Sequence, residues 1–415
     1  MFESLFAVYM GLGTLLAIAL AIRGQIVSAI VLFAGISWTS NSYSNYQNLF
    51  YFSQLLSGLF MCLVVLRRRG QLGRQIDMGF WTLRYSMVGF CLLGMISFFS
   101  SGEGVRGILR FLLCAILISF LRALSPAEVI QAVKIFVLYL TLGIASVFLS
   151  SQSRTARERD IQGSLLYENF IGHPNYLAYT ASLACILFLS LPYKSIKVSV
   201  FGSLICLASI LHSQARSALI AVLLGLLILI LTPQRKISLE NRENSSSKKA
   251  VLISALLSIL TVVYLGSAAI ARLQEINETG GINGANSLGW RFLQWNQAVS
   301  VGNQNFWLGV GWQNSEQYLL SGLKVHNSFI QSFVEFGIIG LLLNVLTFGL
   351  ILINFVRIKW KFAFVPSLIL CWTIDAGMFY PALIFILLLI GSLPRATQLE
   401  SSGKENLNKE NFKNV

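Results

Sequence analysis

Three side chains far apart in the sequence share one chemistry. Arg216 stands in SQARSALIA, Arg291 in GWRFLQWNQAV and His326 in VHNSFIQSFVEFGIIG. A guanidinium presents a planar fork of donors that suits phosphate oxygens, and it stays charged at any relevant pH. An imidazole accepts or releases a proton near neutrality. Two anion-holding groups and one acid/base describe a site that grips a phosphate-bearing molecule and moves a proton. Arg291 and His326 both fall in the stretch from Ser287 to Gly340, and the chain on either side of that stretch is nearly all hydrophobic.

Local context gives each residue a structural setting. In SQARSALIA a polar turn runs straight into an apolar segment, which puts Arg216 at a helix N-terminus. Unpaired backbone N–H groups and the positive end of the helix dipole favour phosphate there. The structural alternative is an interfacial anchor. In GWRFLQWNQAV, Ser287 can cap a short helix whose Trp290, Phe292 or Leu293 and Trp295 face a membrane interface, with Arg291 at headgroup depth. Tryptophans at such a level often serve only as belt anchors. The following FWLGVGW is a glycine-punctuated turn with no strand before it, so it is not read as a nucleotide loop.

His326 directly precedes the next apolar run, with Asn327 or Ser328 as the expected cap. Glu335 follows nine residues later, about 13 Å further along a helix that rises ~1.5 Å per residue. A carboxylate at that depth is costly unless paired or functional; an ion pair with an arginine and a catalytic role both stay open. A further helix start is expected at GHPNYLAYT, where His173, Pro174 and Asn175 place a proline near the first helical position. Plain capping is the alternative to a supporting role for His173 and Asn175.

The elements that must position these residues follow from composition. Of 415 residues 55% are hydrophobic and 12% charged, with mean hydropathy +0.69. A soluble domain carries roughly 25% charged residues, so a soluble enzyme is disfavoured. Apolar runs of about 20 residues recur along the chain, whereas barrel strands would alternate. The expected fold is all-α, a polytopic integral membrane protein with about 12 to 13 transmembrane helices and one large periplasmic loop. Spans are expected near 4–22, 25–40, 49–66, 80–100, 105–124, 128–150, 172–192, 195–212, 214–232, 250–271, 328–356 and 362–394. The last is too long for one helix, and Asp375 with Pro381 divides it into two short segments. Residues 1–271 then form an N-terminal set of spans, 272–327 a loop with short interfacial helices, 328–395 the C-terminal spans and 396–415 a disordered tail. The N-terminus lacks a basic region and a small-residue cleavage site, so the first segment is expected to be a retained span.

A net charge of +14 invites a nucleic-acid reading, but the positive-inside rule explains it better, and no nucleic-acid partner is expected. Arg23, Arg67 to Arg69, Arg122, Lys194, Lys197, Arg235 to Lys249 and Arg357 to Lys361 fall in alternate connections, which orients those to the cytoplasm. The opposite connections hold all three histidines together with Arg106, Arg154, Arg157, Arg159, Arg216 and Arg291. That basic outer face suits an anionic ligand lodged at the bilayer surface; the alternative is that its arginines snorkel to headgroups. The six cysteines (62, 91, 114, 185, 206, 371) stand singly in apolar segments without CxxC spacing, so neither a metal site nor a disulfide framework is indicated. There is no P-loop, no HExxH and no aspartate pair, which disfavours ATP coupling and metal hydrolysis; no cofactor and no metal are expected.

The order SxARSAL, then R-x-x-x-W with GVG about 18 residues on, then HNxFxQxxxExGxxG, resembles the O-antigen ligase/polymerase family over roughly 165–345. GHPNYLA resembles a family element too. Phe306-Trp307 stands where the family has a proline before the Gly-x-Gly turn. The resemblance implies a glycosyltransferase of the bacterial inner membrane, with its site facing the periplasm among membrane lipids. Its donor would be a glycan on undecaprenyl pyrophosphate and its acceptor a lipid A–core sugar hydroxyl. Arg216 and Arg291 are carried over as the pyrophosphate clamp and His326 as the base toward the acceptor, with Glu335, Asn175, His173, Asn327 and Trp295 as possible support. A polymerase with a growing lipid-linked glycan as acceptor is the alternative. A flippase for the same lipid is the reading from a different class.

Overall fold

Apolar runs interrupted by few prolines dictate helices. Four of the seven prolines, at 126, 174, 366 and 381, stand in the first turn of a helix, where the missing N–H would have had no intrahelical partner. The computed structural model describes residues 2–39, 47–68, 78–101, 105–148, 174–191, 193, 195–213, 215–231, 287–312, 314–319, 325–375 and 377–393. Every regular element among them is helical. The N-terminal set is α1 (Phe2–Ile22), α2 (Ile26–Thr39), α3 (Gln47–Arg67), α4 (Met78–Ser101), α5 (Val105–Arg122) and α6 (Pro126–Ala145). Next come α7 (Pro174–Ser190), α8 (Ile196–His212) and α9 (Arg216–Leu231). After the loop region α10 (Ser287–Gln304), α11 (Ser315–Tyr318), α12 (Ser328–Arg357), α13 (Val365–Thr373) and α14 (Pro381–Ser392) complete the chain. The expected span 250–271, His173 and the tail from 394 lie outside the described residues.

The core is organised on α14. Its sequence PALIFILLLIGS is apolar on every face, and Leu383 to Ile390 are all at most 1% exposed; a helix with no polar side belongs in the interior. It packs against α2, α5 and α7. Phe385 meets Trp38 and Phe136 with ring centroids 5.2 and 5.3 Å apart. Peripheral helices show the reverse pattern. On α3, Phe52, Leu55, Leu59, Leu63 and Leu66 are all more than half exposed and follow helical spacing along one outward face. Such apolar stripes are compatible with a protein that sits in a lipid bilayer.

At the far end of α3, Arg68 closes on the start of α6. Its two terminal nitrogens each lie 2.8 Å from a Glu128 oxygen. Ser125 and Glu128 form a capping box on α6, so one carboxylate both satisfies the helix start and holds the arginine.

The sequence pattern suggested one straight span over 328–356, and α12 departs from that. Gly337 sits at φ 65°, ψ −160° inside it. In a straight helix Ser328 and Asn344 would be about 24 Å apart at ~1.5 Å per residue; instead the Asn344 amide donates to the Ser328 carbonyl at 2.6 Å. Phe329 likewise meets Phe348 at 5.4 Å. Residues 328–336 therefore run to Gly337, reverse, and 338–357 run back alongside them. Glu335 thus lies near a reversal and not part-way down a continuous span.

The reversal leaves backbone groups without helical partners, and the glycine turn supplies them. Val310 N–H donates to Val334 O at 2.8 Å, Gly311 N–H to Glu335 O at 3.0 Å, and Ile338 N–H to Phe306 O at 2.7 Å. Contact this close leaves no room for a side chain. A Cβ on Gly309 would overlap the Glu335–Phe336 peptide, and one on Gly337 the Trp307 carbonyl. Both glycines also have φ near +65°, the region where other residues are strained.

Candidate active site

Asn327 fixes the start of α12. Its Oδ1 accepts from Phe329 N–H at 2.9 Å and Ile330 N–H at 3.1 Å, the bonds of an N-cap. The same side chain donates from Nδ2 to Thr373 O at 2.9 Å, tying α12 to the end of α13. His326, one residue upstream, is held in place by that cap. Trp295 of α10 adds a third anchor, its indole N–H donating to His326 O at 3.2 Å.

From this position His326 Nδ1 meets Asp375 Oδ1 at 2.9 Å. Asp375 is fully buried, whereas the imidazole is 18% exposed. A buried carboxylate must be paired or hydrogen-bonded to offset its lost hydration, and the histidine supplies the partner. With the imidazole neutral, Nδ1–H donates to the carboxylate and the lone pair resides on Nε2. Such a pair has the geometry that orients a base.

Asp375 stands in the break between α13 and α14, and the start of α12 shapes that break. Ser328 Oγ donates to Asp375 O at 3.4 Å and accepts from Met378 N–H at 3.2 Å. Asn344 receives the Trp372 indole N–H on its Oδ1 at 2.7 Å while its Nδ2 holds Ser328. The break is closed by a 3₁₀ turn, Gly377–Phe379, ahead of Pro381 at the start of α14.

Arg291, half-buried on α10, lies within electrostatic reach of the Tyr179 and Tyr380 hydroxyls, and so does Asp375. Arg216 is the first residue of α9 and exposed; Ser217 beside it neighbours Tyr179. Tyr179 and Tyr380 are both buried. Among the described residues no ion pair engages Arg216 or Arg291. Asn175 lies in the first turn of α7, half-buried.

Glu335 belongs elsewhere. Its Oε1 accepts from Ser315 Oγ at 2.9 Å and from Gln331 Nε2 at 3.0 Å, and the side chain is 1% exposed. It joins α11 to the first half of α12, beneath the docked glycine turn, and so supports the scaffold around His326. Helix α10 runs through Gln304, longer than the short helix expected around Arg291. Two residues that matter here were not among the sequence candidates for the site. Asp375 was noted only as a break in a long segment, although a carboxylate in an apolar run is itself a functional signal. Arg110 of α5 donates from Nη1 to Phe379 O at 2.7 Å and carried no signal beyond being an arginine in an apolar helix.

The described residues thus form an all-helical structure with apolar outward faces, compatible with a membrane protein, in which a half-buried histidine meets a fully buried aspartate. The family model described as O-Antigen ligase matches residues 201–345, and this segment of the chain is similar to that family. The match runs from α8 through the reversal of α12 and includes Arg216, Arg291 and His326, but it stops before Asp375. No curated protein gives a significant match to the chain.

Proposed function

We propose that the chain is an O-antigen ligase-type glycosyltransferase. In this reading it moves a glycan from undecaprenyl pyrophosphate to a sugar hydroxyl of lipid A–core, on the periplasmic face of the bacterial inner membrane. The observation that carries the reading is the 2.9 Å contact between His326 Nδ1 and the fully buried Asp375. It gives an imidazole the orientation and charge partner of a general base.

The transfer is one displacement with inversion. His326 Nε2 takes the proton of the acceptor hydroxyl as its oxygen attacks the anomeric carbon. The bond from that carbon to the pyrophosphate oxygen breaks, and undecaprenyl pyrophosphate leaves with the electron pair. Asp375 holds the ring and stabilises the imidazolium that forms. Arg216 and Arg291 grip the diphosphate, where charge grows as the bond breaks; charge-assisted forks are strong in such a setting. The positive end of α9 adds to this at Arg216. Two fixed cations perform the charge stabilisation here, so the reaction is metal-independent, and chelator should leave the rate unchanged.

The depth of the site suits a lipid-borne donor. The level of Ser328 lies beside Asn344, six residues from Ile338, or about 9 Å along the helix at ~1.5 Å per residue. Residues 338–357 are about 30 Å long by the same rise, the thickness of a bilayer core.

Purified protein supplied with lipid-linked glycan and core lipopolysaccharide tests the reading. Ligated product is expected, with loss of transfer in Arg216→Ala, Arg291→Ala and His326→Ala and weaker donor binding in the two arginine variants. Extension of the lipid-linked glycan without ligation would replace the ligase by a polymerase. Lipid movement across vesicles with no sugar joined would replace it by a flippase.

A further inference from the structure

We infer that Arg110 is a positioning residue for the His326–Asp375 pair, acting through the Gly377–Phe379 turn; the inference rests on the transfer reading above. Arg110 lies on α5, in the run VRGILRFLLCAILISFLR, well outside the segment matched by the family. Arg110 is the sixth of the 18 residues of this helix and half-buried; a charged group in an apolar helix carries a desolvation cost, so its partners indicate its purpose.

Those partners converge on the site. Arg110 Nη1 donates to Phe379 O at 2.7 Å, a charge-assisted bond to the last carbonyl of the turn that begins two residues after Asp375. Tyr380 N–H closes the same turn on Gly377 O at 3.3 Å. The guanidinium also stands 5.8 Å from the centroid of the Trp312 ring. Trp312 is buried, packs at 5.5 Å on both Phe336 and Phe379, and donates its backbone N–H to Ser97 Oγ at 2.7 Å. Trp312 follows the glycine turn docked on the α12 reversal. One side chain on α5 therefore links the turn behind Asp375 to the loop that braces the helix following His326. The Tyr176 hydroxyl, next to Tyr380, is within electrostatic reach of both Arg110 and Asp375.

The physical consequence is a constraint on where the carboxylate sits. A displacement of about 1 Å at a reacting group costs on the order of a hundredfold in rate. Arg110 acts on the turn that follows Asp375 through the Phe379 carbonyl, so loss of the guanidinium affects chemistry while leaving the donor clamp intact.

The test is a steady-state comparison of Arg110→Gln, Arg110→Lys, Asp375→Asn and the Arg110→Gln/Asp375→Asn double variant, with His326→Ala as reference. Arg110→Gln is expected to lower kcat by about tenfold or more, with KM for the lipid-linked donor within about threefold of wild type. Arg110→Lys should recover part of the loss, because an ammonium can still donate to the Phe379 carbonyl. In the Asp375→Asn background, Arg110→Gln should add less than about twofold, since the group it positions is already disabled. A raised donor KM with unchanged kcat, or a full multiplicative loss in the double variant, overturns the inference. If Arg110→Gln does not fold, Arg110→Lys carries the same split: reduced kcat at constant KM supports it and wild-type kinetics overturns it. Wild-type rates in Arg110→Gln with inactive His326→Ala remove this inference alone, whereas an active His326→Ala removes the transfer reading beneath it.

Discussion

Two acid–base contacts of similar length sit in opposite surroundings in this protein. Arg68 and Glu128 meet through two 2.8 Å bonds, with both side chains about 30% exposed. His326 and Asp375 meet through one 2.9 Å bond, with the carboxylate wholly buried. The first joins permanently charged groups at an accessible helix end, where solvent screens them and the fork geometry serves as a clamp. The second joins a group that can change charge to one that has lost its hydration. Burial strengthens the electrostatic coupling between them, and proton transfer to the ring is directly felt by the carboxylate. Distance alone does not separate a clamp from the pair proposed as catalytic; burial and the titratable ring do.

Four variants break or sharpen that contrast. His326→Ala has the largest expected effect, a loss of roughly 10²–10⁴ in transfer rate with the thermal midpoint little changed, read by product formation and by unfolding in detergent. Gly337→Ala comes next, destabilising by about 2–4 kcal/mol because the reversal has no room for a Cβ and its backbone conformation disfavours one. Thermal unfolding measures this, and an unchanged midpoint would contradict the interlock with Trp307. Asp375→Asn keeps the shape but removes the charge partner of the ring, and transfer should fall by about a hundredfold at unchanged donor KM. If Asp375→Asn is as active as wild type, the buried pair has no catalytic function. The smallest effect belongs to Glu128→Gln, less than about 1 kcal/mol of stability, diminishing further in high salt, with transfer unaffected.

Legibility in the sequence divided along the same line. The helix starts at Pro126, Pro174 and Pro381 are local signals, and the expected spans 128–150, 172–192, 195–212 and 214–232 lie within a few residues of the observed helices. The cap at Asn327 was equally local, as was the split of the last segment on either side of Asp375. The α12 reversal was harder to see, because FGIIG reads as a tolerated glycine within an apolar run. Its cause lies some thirty residues upstream, in the turn at Gly309 that takes over the hydrogen bonds of Val334, Glu335 and Ile338. Glu335 followed the same rule: its depth marked it as significant, but only the docking of α11 and Gln331 showed that it braces a scaffold.

By itself the amino-acid order determined an all-helical chain of apolar segments, and it marked the two arginines and the histidine by their positions at segment ends. Hydrophobic periodicity and end-capping act over a turn or two of chain, so a reader of the sequence can recover them. Tertiary structure alone decided that His326 would face Asp375, that α12 would double back at Gly337, and that an arginine from α5 would hold the turn behind the carboxylate. Each of those depends on satisfying a buried polar group with a partner from another helix, and nothing in the local sequence specifies which helix that will be.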